Sequence, residues 1–211
     1  MVMKQDIHLK SLVKEMKINY DALMMEEINS LDGKKTLLMH SCCGPCSTAC
    51  IERLKDYFDI TVVYYNPNIE PVEEYNKRKS VQKEVLKRLD IKYMDCDYDN
   101  ETFRHLTKEL SLEPEGGKRC AVCFGIRLKK TALLAKENNF DYFTTTLTVS
   151  PHKNSELINK IGLNIADFID VKFLVADFKK RNGYKRSIEL SKEYNLYRQN
   201  YCGCLYSKID E

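Results

Sequence analysis

Short runs of apolar and β-branched residues, separated by charged segments of helical period, recur through this chain, and that alternation leaves few folds open. The runs are Leu37-Leu38-Met39, Ile60 to Tyr65, Ile91 to Met94 and Asp141 to Val149. Their flanks carry turn residues such as Asn66-Pro67-Asn68, so each reads as a strand. Between them Ser47 to Tyr57, Glu73 to Leu89, Glu101 to Leu110 and Ala121 to Asn138 have the apolar spacing of helices. Parallel neighbours need crossover connections, so strands alternating with helices predict an α/β fold, a parallel sheet flanked by helices in three layers. Beyond it the pattern predicts a helix over Asn154 to Leu163, a last short strand over Phe168 to Val171 and a helix over Ser187 to Tyr197. The organisation expected is a helical N-terminal extension over 1–33 and one α/β catalytic domain over 34–211. That domain ends in a helical tail carrying Cys202-Gly203-Cys204.

The first strand ends abruptly in Cys42-Cys43-Gly44-Pro45-Cys46, followed by a helix. Ligands of open α/β sheets bind at the carboxyl edge of the strands, and a helix N-terminus favours thiolates through its partial positive charge. Asn66, Asp97 and Ser150 follow their own strands and are expected at the same edge. Cys120-Ala121-Val122-Cys123 opens another helix, where i, i+3 spacing puts both sulfurs on one face. With Cys42 and Cys43 it makes a four-thiolate set, the ligand number of a structural zinc or an iron-sulfur cluster. The vicinal pair, the extra thiol Cys46 one turn on, and the nearby cations Lys118 and Arg119 favour the cluster. Cys43-Gly44-Pro45-Cys46 is also a dithiol sequence of thioredoxin-like oxidoreductases, which keeps a thiol-disulfide oxidoreductase with a structural zinc as an alternative. A zinc-stabilised RNA-binding module is a third reading. Cys202-Gly203-Cys204 can close only a small strained ring, of the readily reduced, redox-active kind, or remain two free thiols. Cys50 and Cys96 have no partner by spacing and read as small buried hydrophobes.

Nine cysteines, an odd number, in a chain with no bilayer-length apolar run and no signal-peptide pattern in Met1 to Lys17 predict a cytoplasmic protein whose thiols are ligands or redox groups. A net charge of +3 does not by itself indicate a nucleic-acid partner. Basic residues do gather at Lys77-Arg78-Lys79, Arg127 to Lys130 and Lys179-Lys180-Arg181, near Tyr184, Lys185, Arg186, Tyr197 and Arg198. Interleaved rings and cations suit an unpaired RNA loop, although solvated helix faces explain most charge runs. His40, between an apolar strand and the thiols, reads as a core imidazole. His152, in Ser150-Pro151-His152-Lys153-Asn154 ahead of a helix, is placed to meet a phosphate or ribose.

Five segments in order carry a resemblance: His40 to Cys46, Tyr65-Asn66-Pro67-Asn68-Ile69, Cys120 to Phe124, Thr145 to Asn154 and Tyr197 to Cys204. Over roughly Lys35 to Ser207 the chain resembles the cobalamin-independent epoxyqueuosine reductases of the QueH family. The resemblance implies a HUP/PP-loop-like fold and an iron-sulfur oxidoreductase that converts epoxyqueuosine to queuosine at the wobble position of tRNA. It implies a 4Fe-4S cluster on Cys42, Cys43, Cys120 and Cys123, and a redox-active pair, Cys202 and Cys204, able to form a disulfide bond. A second metal, an iron, is implied beside the cluster, with Cys46 as its candidate ligand although some members carry a carboxylate there. His152 and Lys153 are the candidate proton donors. Asn66, Asn68, Ser150, Tyr184 and Arg198 are the candidate contacts to the anticodon loop, and an electron donor is required. No Ser-Gly-Gly-rich phosphate loop follows the first strand, so no ATP is expected.

Overall fold

A computed structural model describes residues 18–207, so the predicted helical pattern of Met1 to Lys17 lies outside the described residues. Five parallel strands, β1 (Lys35–His40), β2 (Phe58–Val63), β3 (Lys92–Met94), β4 (Tyr142–Thr145) and β5 (Lys172–Phe173), form one sheet in the order β3-β2-β1-β4-β5. His40 pairs with Val63 on one side and Thr145 on the other, so β1 is central. The helices are α1 (Tyr20–Asn29), α2 (Gly44–Leu54), α3 (Val72–Leu89), α4 (Asn100–Thr107), α5 (Lys118–Glu137), α6 (Ser155–Ile169) and α7 (Gly183–Glu193).

Alternate side chains of the central strands feed two cores. Leu37, Met39, Ile60, Val62 and Tyr142 pack with α1 and α2 through Met24, Ile28, Ile51 and Leu54. Leu38, Val63 and Phe143 pack on the other face with α5 and α6 through Phe124, Leu128, Ala132 and Ile158. The expected three layers are present, and α1 of the extension belongs to the first core.

Two strand boundaries differ from the pattern. The fourth strand stops at Thr145, whose side chain accepts from Leu147 N and turns Thr146–Val149 into a 3-10 turn. The segment Phe168 to Val171 is not a strand. Helix α6 runs to Ile169, Asp170 ends it in the left-handed conformation, and only Lys172–Phe173 pairs with β4. Phe168 is 84% exposed, so its apolar side chain misled the pattern. The last helix begins earlier than expected, at Gly183, and ends at Glu193.

The strand order reverses between β1 and β4, because β1 leads through α2 to β2 on one side while β4 lies on the other. Such a switch point opens a crevice at the carboxyl ends of the strands. The cysteine turn after β1 and the 146–154 segment after β4 form its two lips.

Candidate metal centre and substrate cleft

The cysteine turn is held from below by a buried polar network. Ser41 Oγ donates to Gln82 Oε1 at 2.5 Å, Gln82 Nε2 donates to Ser47 Oγ at 3.0 Å, and Asn66 Nδ2 donates to the Ser41 carbonyl at 2.8 Å. Pro45 sits in the first turn of α2, where its missing N–H costs nothing. Gly44 lets α2 approach α3, since a Cβ there would stand 3.0 Å from Val81 Cγ1. His40 is fully buried. Its Nε2 is 3.0 Å from the Tyr65 carbonyl, which can only accept, so Nδ1 accepts from Thr145 Oγ1 at 2.9 Å. It is the core imidazole the sequence suggested.

Three sulfurs converge on this turn. Those of Cys42, Cys43 and Cys46 all lie within 4.8 Å of one another, with Cys43 Sγ 2.8 Å from Cys46 Sγ. Hydrogen bonds from Cys43 and Cys46, helped by the Lys153 charge, hold the Cys42 thiol well below its ordinary pKa. Burial pushes Cys43 up to about 12, and hydrogen bonds to Cys42 and Cys43, with burial, push Cys46 well up. One thiolate is thus shared among three sulfurs.

Cys120 and Cys123 stand across the crevice rather than inside this tight trio. They wall a small cavity with Cys202, Cys204, Arg127, His152 and Lys153. Cys42 and Cys46 line the adjoining cleft of about 1090 Å³, which shares Arg127, His152, Lys153 and Cys202 with the small cavity. Cys42 and Cys120 also rest on the same apolar core. Cys42 therefore borders the same region as Cys120 and Cys123, from two turns, while Cys43 lines neither cavity. Gly116 N donates to Cys120 Sγ at 3.2 Å and Thr146 Oγ1 to Cys42 Sγ at 3.5 Å, the kind of contact that stabilises ligating thiolates.

The buried charges say what this region can hold. Arg127 is 2% exposed; Nε donates to the Cys123 carbonyl and Nη1 to Asn66 Oδ1 at 3.5 Å, while Nη2 has no partner. No carboxylate pairs with it or with Lys153 among the described residues. Burial opposes the charge on Lys153, yet the sulfurs of Cys202, Cys42 and Cys46 outweigh it and hold its pKa at about 12. A buried cation without an anion is costly, and the anions available here are sulfurs: Cys123, Cys202 and Cys42 act on Arg127 in the same way. An anionic, thiolate-ligated group fits between these two cations.

The tail arrives from the opposite side. All nine cysteines are free thiols, and no disulfide joins Cys202 to Cys204. A hydrogen bond from Cys204, then Lys153 and Arg127, hold Cys202 well below its ordinary pKa, whereas the same bond and burial push Cys204 up. Gly203 takes φ +108°, and a Cβ there would stand 2.8 Å from Arg78 Nη1, so glycine alone fits between the two thiols. Arg78, 2% exposed, donates to the Cys202 carbonyl at 3.0 Å and to Glu74 at 2.6 Å and lies over the Tyr201 ring, while Glu70 N donates to the Gly203 carbonyl.

Of the other sequence candidates, Asn66, Ser150, His152, Lys153, Tyr184 and Arg198 line the cleft, Arg198 lying over Tyr184. Asn68 is 1% exposed with neither side-chain polar atom partnered, and it does not reach the cleft wall. Asp97 is exposed on the outer strand side and lies outside the cleft as well. Arg119 does not serve the thiols, because it donates to the carbonyls of Leu110, Ser111 and Glu113 and lies over Tyr206. The basic runs are neutralised in part: Lys79 pairs with Asp95, Lys179 with Asp177, Arg181 with Asp21 and, nearby, Arg186 with Glu52, whereas no ion pair engages Lys77, Lys129, Lys130 or Lys180 among the described residues. Cys50 is fully buried as expected, Cys96 only partly. The central residue that spacing analysis passed over is Arg127. Lying four residues after Cys123 and seven after Cys120, it shares their helix face, a signal present in the sequence.

A family model described as epoxyqueuosine reductase QueH matches residues 37–210. An epoxyqueuosine reductase QueH of Staphylococcus epidermidis is 41% identical over 94% of this chain and 88% of the relative. One of Streptococcus pyogenes is 42% identical over 94% of this chain and 82% of the relative. Among solved structures, the U34-tRNA thiolase NcsA of Methanococcus maripaludis, with its 4Fe-4S cluster, superposes with a TM-score of 0.53 at 13% identity, over 89% of this chain and 69% of that one. At that identity the likeness is one of fold.

Proposed function

Because the chain belongs to the epoxyqueuosine reductase QueH family, we propose that it reduces epoxyqueuosine to queuosine at the wobble position of tRNA. The reaction opens an epoxide to an alkene: two electrons and two protons enter, and the oxygen leaves as water. An iron-sulfur centre, a 4Fe-4S cluster, supplies the electrons when bound, and an iron beside it would supply a Lewis acid. The residues that would hold the cluster are Cys42, Cys43, Cys120 and Cys123, with Cys46 the sulfur left over for the second metal. The observation that carries this reading is the pair of cations, buried Arg127 and half-buried Lys153, with sulfurs rather than a carboxylate as the anions that act on them.

The chain's own residues then divide the work. Arg127 and Lys153 keep their charge in the crevice and attract the negative charge that electron arrival adds. His152, exposed at the lip with its backbone N–H donating to Ser150 Oγ and its imidazole left to the cleft, can move a proton toward the leaving oxygen, whereas Lys153 holds its proton too tightly to be the better donor. Cys202, its pKa held down by the Cys204 hydrogen bond and the two cations, would with Cys204 release two electrons and two protons as the pair closes to a disulfide, which an external donor then reduces back to two thiols. The cleft, with Tyr184, Arg198, Asn66 and Ser150 on its walls, receives the flipped-out base of the anticodon loop. Catalysis resides in the α/β unit over 34–211. No helix among the described residues is long and apolar enough to cross a membrane. A tRNA substrate supports a cytoplasmic enzyme.

A dithiol oxidoreductase needs an accessible first thiol with a depressed pKa. Cys43 is 1% exposed and pushed up to about 12, the reverse of that requirement. Nucleoside mass spectrometry on tRNA from a deletion strain tests the reductase function. Epoxyqueuosine should accumulate and queuosine disappear, and unchanged queuosine would refute it.

A further inference from the structure

The charged side chains that line the cleft are cations with one exception among the described residues. Arg78, Arg127, Lys153 and Arg198 line it, with His152 at the lip, and among the described residues a single carboxylate, Glu115, stands with them. Among the described residues Glu115 is also the only carboxylate on the wall of the small cavity lined by Cys120 and Cys123. It is exposed, and no hydrogen bond or ion pair engages it among the described residues, although every other acid facing the tail is engaged: Glu74 by Arg78 and Tyr197, Glu70 by Arg104. Its place is fixed by its neighbours, since the next residue, Gly116, donates its N–H to Cys120 Sγ at 3.2 Å.

A cationic cleft suits the phosphates of an RNA loop and repels one part of this substrate. In epoxyqueuosine the five-membered ring that carries the epoxide is joined to the 7-deazaguanine base through a secondary amine. Alkyl amines have ordinary pKa values above neutrality, so this nitrogen enters as an ammonium. Being attached to the same ring as the epoxide, it must come to rest beside the reaction centre, where Arg127 and Lys153 already concentrate positive charge. The sulfurs already answer those two charges, so the ammonium calls for an anion of its own at that place.

We infer that Glu115 is the specificity residue that receives the ammonium of the substrate's amine linkage and so sets the epoxide ring against the thiol-lined cavity. The inference rests on the reductase reading. It supplies a reason for one unengaged carboxylate in a basic cleft, and it gives the enzyme a means of telling the modified nucleoside from guanosine, which lacks the amine.

The test uses the anaerobically prepared full chain and two probes, the same tRNA bearing epoxyqueuosine or guanosine at the wobble position. Wild type should prefer the first. Glu115→Gln should lose about tenfold or more in affinity for the epoxyqueuosine tRNA, the scale of one charge-assisted hydrogen bond, with unchanged affinity for the guanosine tRNA. Glu115→Asp should fall between. In turnover, Glu115→Gln should raise KM with kcat largely retained at saturation. Equal weakening toward both tRNAs, no weakening toward either, or a loss confined to kcat would each overturn the assignment. Failure of the wild type to form queuosine, followed by mass spectrometry, would strike the reductase reading and not the affinity comparison, so the two failures are told apart.

Discussion

Replacing Arg78 by Met should release the cysteine tail from the body of the protein. Arg78 makes an ion pair with Glu74 in which the two side chains are 1% and 13% exposed, a 3.0 Å hydrogen bond to the Cys202 carbonyl, and a stacking contact at 4.9 Å over Tyr201. Removing one partner of a buried pair costs about 3–5 kcal/mol, and losing a hydrogen bond to a charged group about 1.5–3 kcal/mol. These terms overlap, and Glu74 keeps the Tyr197 hydroxyl at 3.1 Å, so a total of about 4 kcal/mol is expected. The Glu70 amide, bonded to the Gly203 carbonyl at 2.8 Å, reports docking of the tail. Since about 1.4 kcal/mol is a factor of ten, its hydrogen-exchange protection should fall by about two to three orders of magnitude in Arg78→Met. The central strands should remain protected, because β1 and β4 do not touch the tail. Met keeps much of the apolar stem, so packing is not the variable. Arg78→Lys should recover only part of the protection, as one ammonium cannot serve Glu74 and Cys202 together. Unaltered exchange at Glu70 in the Met variant would refute the latch.

Two other perturbations follow from the same geometry. Burial pushes the Asp21 carboxyl up, but hydrogen bonds and charges of Arg53 and Arg181 outweigh it and leave its pKa below the usual aspartate range. A folded-state pKa below the unfolded one contributes stability that is present above the ordinary aspartate pKa and lost as pH falls through the lower folded value. The acid limb of a urea-midpoint profile should therefore flatten in Asp21→Asn, and an identical limb would contradict the pairing. Arg127→Met should lower the iron retained after anaerobic gel filtration well below wild type, with Arg127→Lys between them, since the guanidinium is held against the sulfurs from its own helix; equal iron in all three would mean that its charge plays no part there.

The parallel sheet and the position of the thiols could be read from the sequence because both depend on local periodicity: β-branched runs bounded by turns, and cysteines at the junction of strand and helix. The same periodicity extends to Arg127, on the helix face of Cys120 and Cys123. Other features depend on long-range contacts that no local pattern carries. Thr145 and Thr146 look like strand residues, yet their hydroxyls serve Leu147 and the cysteine turn, so the strand ends early. The basic runs suggested an open RNA-binding face, but Arg181 and Arg186 are engaged by Asp21 and Glu52, far away in the chain. Glu115 gave no signal by spacing, since its meaning comes only from the cations that the fold gathers around it. Phe168 shows the opposite error, an apolar residue that looks like core and faces solvent.

Iron and acid-labile sulfide content of the anaerobically purified chain tests most directly whether thiols from two distant turns share one inorganic centre. About four sulfides and about five irons per chain, four in the cluster and one beside it, are expected for the wild type, with the sulfide and the cluster iron lost together in Cys42→Ala and in Cys120→Ala. Stoichiometric zinc without sulfide, or a full complement of iron and sulfide in either variant, would contradict a single cluster held by both turns.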